Sequence, residues 1–183
     1  MLITHEREKL IEAVAFFAAN VRKLGKTKLF KLLYFLDFQH YRDTGRSVTG
    51  LHYSAWKMGP VPVSLFEELK PGVSWDGKVA FESISWGDNE MLTPKALGPF
   101  DPKHFSRREI ALLRGLAKDF RDADAETMIE KTHLENSPWH QVWEGQGARQ
   151  APIPYELALR KGNQEAMTAL SAARQELIDA LSR

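Results

Sequence analysis

Apolar residues recur at helical spacing from near the start of the chain. Leu10, Ile11, Val14, Phe17 and Ala18 share one face of a predicted helix that Thr4 can cap, with Glu6 and Glu8 near its positive end and Asn20 near its close. A second helix is predicted after Gly25, capped by Thr27 and running to Asp43, where Gly45 stops it. Leu29, Phe30, Leu32, Leu33, Tyr34, Phe35, Leu36 and Phe38 surround its axis almost completely, as in a buried central helix. Leu51 to Met58 then has the alternating, aromatic content of a strand, and Gly59-Pro60-Val61-Pro62 breaks it before a short helix from Val63 to Leu69. Two further strands, Lys78 to Trp86 and Glu90 to Thr93, are joined through Gly87-Asp88-Asn89.

The remainder reads as helical. Ser106-Arg107-Arg108-Glu109 is a capping box ahead of Ile110, Leu112, Leu113 and Leu116. Asp124 can cap a helix through His133, Ser137-Pro138 opens a short one at Trp139, and Asn163 can cap a last helix over 163–183. Residues 145–154 are the best loop candidate and would let that last helix move against the rest. The pattern predicts an α+β fold: one mainly helical domain over 1–183 around a buried central helix, with a small antiparallel sheet.

Composition narrows the function classes. A chain of 183 residues, 43% hydrophobic and 27% charged, has the balance of a soluble globular protein and can bury a sizeable core. It has no cysteine, which excludes disulfides, thiolate metal sites and a cysteine nucleophile and fits a cytoplasmic setting. Charge where a signal peptide needs an apolar core, and the lack of any long apolar run, predict no membrane targeting. Lys+Arg 25 against Asp+Glu 24 gives no global basic field, so nucleic acid is not an expected partner. A DNA-binding regulator is the alternative reading, resting on the cluster Arg22, Lys23, Lys26 and Lys28.

Motifs for catalysis are incomplete. Gly25-Lys26-Thr27 has the tail of a phosphate-binding loop, but Asn20 stands where its first glycine belongs and a helix precedes it instead of a strand. Gly145-Gln146-Gly147 lacks the third glycine of a dinucleotide fingerprint. Six histidines offer no H-x-x-x-H pair, Asp101-Pro102-Lys103 precedes a helix where a nuclease motif needs a sheet edge, and no G-x-S-x-G occurs. The expectation is a protein that is not an enzyme and holds no metal or cofactor. Lys28 and Lys31 stand out because an ammonium on so apolar a helix must snorkel or meet an acid. Carboxylates such as Asp37 or Glu67 would make them a structural pair, and a partner-binding role is the other reading. Trp56, Trp139 and Trp143 divide in the same way between core and interface.

Lys28-Leu29-Phe30-Lys31-Leu32-Leu33-Tyr34-Phe35 resembles the K-L-x-K-L-x-Y-x helix of SocA-like Panacea domains. Gly45-Arg46-Ser47-Val48-Thr49-Gly50 and Tyr53-Ser54-Ala55-Trp56-Lys57-Met58-Gly59-Pro60-Val61 follow at that family's spacing and are similar to its G-x-x-(L/I)-T-G and A-W-x-x-G-P-V segments. Ser106-x-x-Glu109, and His133 ahead of Pro138-Trp139, are similar to its later helices, so the resemblance spans about residues 5–144. It implies an α+β fold and an antitoxin that acts on a cognate protein toxin, often in phage-associated settings. Neutralisation would come by direct binding or by acting as an adaptor that delivers the toxin to a bacterial ATP-dependent protease. It also singles out Lys28, Lys31, Tyr34, Tyr53, Trp56, Gly59, Pro60, Val61, His133 and Trp139 as family-motif or partner-binding residues.

Overall fold

The structure, a computed structural model, describes residues 4–160 and 162–182. The two ends of the predicted domain, and the last residue of the predicted final helix, lie outside the described residues.

Helix α1 (Glu6–Asn20) starts one residue later than Thr4 would place it: His5, at φ 53, occupies the cap position, and its side chain meets Glu8 at 3.3 Å instead of capping a backbone amide. Its apolar face lies over the sheet described below and over α4 (Arg107–Asp119). Helix α2 (Lys26–Thr44) is capped by Gly25, not Thr27, because the extended backbone at Gly25 turns its carbonyl to the Leu29 amide at 3.0 Å. It ends at Gly45 in the left-handed region (φ 69), whose amide reaches the Tyr41 carbonyl at 2.7 Å. Leu29, Leu32, Leu33 and Leu36 are fully enclosed, so α2 is the central helix.

The predicted strand over 51–58 is shorter, and its predicted breaker is its partner. Strand β1 (Ser54–Trp56) pairs antiparallel with β2 (Gly59–Val61), with Ala55 opposite Pro60. Proline fits because the Ala55 backbone faces the other way. Its amide donates to the Ala151 carbonyl and its carbonyl accepts from the Gln150 amide, each at 2.8 Å, so no ladder bond is required of Pro60. Residues 150–153 of the predicted 145–154 loop are therefore held to the edge of β1, also through the Ile153 amide to the Tyr53 carbonyl at 2.8 Å.

After α3 (Val63–Glu68), a second antiparallel sheet comprises β3 (Ser74–Trp75), β4 (Val79–Trp86) and β5 (Asn89–Ala96). Among the described residues the β structure is thus divided between two small antiparallel sheets. Strand β5 runs three residues beyond Thr93 because β4 offers partners as far as Val79. In α4 the capping box is complete: the Glu109 amide donates to Ser106 Oγ at 3.2 Å and the Ser106 amide to Glu109 Oε2 at 2.6 Å. Asp124 caps α5 (Ala125–Thr132) through the Thr127 amide at 2.8 Å, and Ser137 caps α6 (Pro138–His140). A π turn over Gln141–Gly145 and a 3-10 turn over Tyr155–Ala158 lead to α7 (Gln164–Ser182). Two acids below the surface have partners: Glu109 takes Lys9 at 2.7 Å, and Glu12 takes Lys78 at 3.0 Å and the Asp101 amide at 2.9 Å.

Candidate functional site

Lys31 points from the middle of α2 into the β1–β2 hairpin, where its ammonium is enclosed (1% exposed) and donates to the Pro60 carbonyl at 2.9 Å. Among the described residues neither Lys31 nor Lys28 bonds to Asp37 or Glu67: both donate to backbone carbonyls, and Lys28 feels Asp122 and Asp124 only as neighbouring charges. For Lys31 the acceptor is a carbonyl that β2 turns inward. Burial lowers the Lys31 pKa from its usual 10.5 to about 7, since a single carbonyl replaces only part of the lost hydration.

The hairpin can approach this closely only because residue 59 is glycine. It sits at φ +96, and a Cβ there would lie 2.7 Å from Thr132 Oγ1 and 2.8 Å from Lys31 Cε. Beyond Thr132, at the end of α5, His133 stacks on Trp139 with centroids 3.7 Å apart and planes 5° apart. The His133 pKa is lowered by burial first and then by the Lys31 charge, with Glu144 opposing. Its Nε2 is enclosed and has no hydrogen-bond partner among the described residues. Trp139 returns to the hairpin, donating from Nε1 to the Trp56 carbonyl at 2.9 Å. Pro138 at the first position of α6 and Ser137 as its cap fix the turn that orients this indole.

Tyr34, one turn along α2 from Lys31, is buried beside the same segment, and burial pushes its hydroxyl well above the usual range while the nearby Trp139 amide partly opposes this. No group completes a hydrogen bond to that hydroxyl among the described residues. Lys31, Tyr34, Trp56, Gly59, Pro60, His133 and Trp139 thus form one assembly joining α2, the hairpin and the α5–α6 turn.

The remaining motif residues lie elsewhere. Lys28 donates to the Arg22 carbonyl at 2.9 Å and the Arg121 carbonyl at 3.3 Å, tying the α1–α2 turn to the α4–α5 turn. Val61 is buried at the end of β2. Tyr53 belongs to a second polar centre around Asp37, which sequence reasoning did not identify. Asp37 Oδ1 accepts the Val48 and Thr49 amides at 2.8 Å each, and Oδ2 accepts Thr49 Oγ1 at 2.5 Å and Tyr53 Oη at 2.7 Å. Burial raises the Asp37 pKa to about 6 against those four donors. The available signal was a carboxylate within the apolar stretch of α2 from Leu29 to Phe38, together with the Val48-Thr49 turn that follows it.

The sequence model of the family described as "Antitoxin SocA-like, Panacea domain" matches residues 29–140, more than half of the chain. The chain belongs to that family. The match contains the whole Lys31–Trp139 assembly and the Asp37 centre. It is narrower than the 5–144 read from motifs, leaving Lys28 just before it and the π turn, 3-10 turn and α7 after it. No curated protein and no solved structure matches the chain.

The basic cluster near the first turn is engaged within the fold. Arg22 pairs with Asp122 at 3.0 Å, Lys26 donates to the Phe66 carbonyl at 2.7 Å and lies 3.8 Å from the Phe66 ring centroid, and Lys28 is enclosed. Among the described residues no helix is long and apolar enough to cross a membrane, and no group of three or more His, Asp or Glu could hold a metal ion.

Proposed function

We propose that this protein is the antitoxin of a toxin–antitoxin pair, acting in the cytoplasm by binding a cognate protein toxin directly and performing no chemistry of its own. The observation that carries this reading is the family match over residues 29–140. The geometry is compatible. Lys31 and Trp139 each donate to a backbone carbonyl, so these motif residues hold the frame and leave the exposed surface to meet a partner. The engaged charges of Arg22, Lys26 and Lys28 do not favour the DNA-binding alternative.

Growth rescue tests the proposal. Co-expression of this chain should restore growth to cells making the protein encoded by the adjacent reading frame, and the two should co-purify. Rescue with no complex and unchanged toxin levels would overturn direct binding and adaptor delivery together. Delivery to an ATP-dependent protease makes a further demand: in a host lacking that protease, rescue should vanish and the toxin accumulate. Rescue that persists there leaves neutralisation by binding.

A further inference from the structure

A cleft of about 560 Å³ opens beside the Lys31–Trp139 assembly, between α2, the α5–α6 turn and the chain leading into α7. Its floor is the α2 face carrying Tyr34, Phe35 and Phe38, and three cations line it: Arg42, Lys131 and Arg160. Among the described residues no aspartate or glutamate lines it, although the chain as a whole carries 25 basic and 24 acidic residues. Lys131 and Arg160 are exposed and have no ion-pair partner among the described residues. Arg42 reaches Asp43 at 3.2 Å, but that carboxylate is shared with Arg108 at 3.9 Å. Within a nearly neutral molecule this is a local field of one sign over an aromatic floor.

We propose that the cleft is the docking groove for an acidic segment of the partner protein, its carboxylates facing Lys131, Arg160 and Arg42 and an apolar side chain resting on Phe35 and Phe38. The proposal rests on the antitoxin reading above. Charge complementarity selects the occupant: a segment of opposite sign supplies the carboxylates that the cleft's own lining lacks. The two walls also differ in origin. Tyr34 and Thr132–Pro138 lie inside the span matched by the family, whereas Leu157–Arg160 and Gln164 lie outside it. A floor within the family's span and a wall outside it would suit one frame serving different partners.

The test is a titration of the purified full-length chain with the purified protein encoded beside it. Lys131→Glu/Arg160→Glu changes two exposed, unpaired cations and should leave the melting temperature intact. It should weaken Kd at least about tenfold at 0.1 M salt, with a smaller effect at 0.5 M. Arg114→Glu/Lys118→Glu, the same charge change on the exposed face of α4, should shift Kd less than about twofold, as expected for charges away from the interface. A complex that ignores the cleft reversal, or loses affinity equally with both reversals, overturns the groove while leaving the antitoxin reading in place. A melting temperature raised by millimolar inorganic phosphate, reversed by Lys131→Glu/Arg160→Glu without effect on the partner, would mark a small-anion site and also overturn it. Absence of any complex with the unaltered chain removes the groove and the antitoxin reading together.

Discussion

At Lys31 an ammonium with three donor hydrogens has one acceptor, the Pro60 carbonyl, and burial holds its pKa near 7. The unfolded chain, with the ordinary lysine value of 10.5, binds more protons than the folded one between those limits, so this residue makes stability rise with pH from about 7 toward 10. The penalty on the folded state is greatest below pH 7. Denaturant unfolding at several pH values should show about 2–3 kcal/mol of gain between pH 7 and 9.5 from this residue. Lys31→Met should remove that slope and be least harmful, or stabilising, at the acid end; equal slopes in both proteins would show that the amine is not held this way. Asp37 is the opposite case, with four donors on one carboxylate. Asp37→Leu strands two buried backbone amides and the Tyr53 hydroxyl and should lower unfolding free energy by about 3–5 kcal/mol. A loss below 1 kcal/mol would mean those donors find other acceptors. Both residues were conspicuous in the sequence as charges on an apolar helix, yet their partners were not legible. A carbonyl acceptor carries no side-chain signature, so Pro60 could not be distinguished from a carboxylate partner, and Asp37 was set beside the lysines when it serves Val48, Thr49 and Tyr53.

Caps read from a side chain and its partner within a few residues were legible at the level of elements, whereas Thr4 and Thr27, read from position alone, were displaced by His5 and Gly25. Ser106 with Glu109, Asp124 with Thr127 and Gly45 all act as read. Ser106→Ala should reduce stability by about 1 kcal/mol and the melting temperature by about 2–4 °C. An unchanged melting temperature would show that the cap contributes nothing in this context. Elements defined by distant partners were misjudged. Gly59-Pro60-Val61 carries every local mark of a breaker, and it becomes a strand because Ala55 spends its backbone groups on residues 150 and 151, which leaves proline an undemanding position. The same long-range pairing holds residues 150–153 of the predicted 145–154 loop against β1. Gly59→Val, which introduces a Cβ at φ +96 against Lys31 and Thr132, should lower stability by more than about 2 kcal/mol before it alters partner affinity. Unchanged melting with lost binding would reassign the turn to the interface.

For the whole molecule, the fold class and the family were legible because the motif segments lie at helix and hairpin positions that recur in fixed order. What brings them together was not, since only the folded chain sets His133 on Trp139 and both beside the hairpin that Lys31 supports. The cleft was equally hidden: its three cations come from α2, α5 and the segment before α7, and no window of sequence contains them. The proposed role of this frame, to hold another protein, is checked by isothermal titration of the purified chain against the purified product of the adjacent reading frame. The expected result is a saturable complex with Kd below about 1 μM. No measurable binding, under conditions where the two proteins' co-expression restores growth, would contradict it.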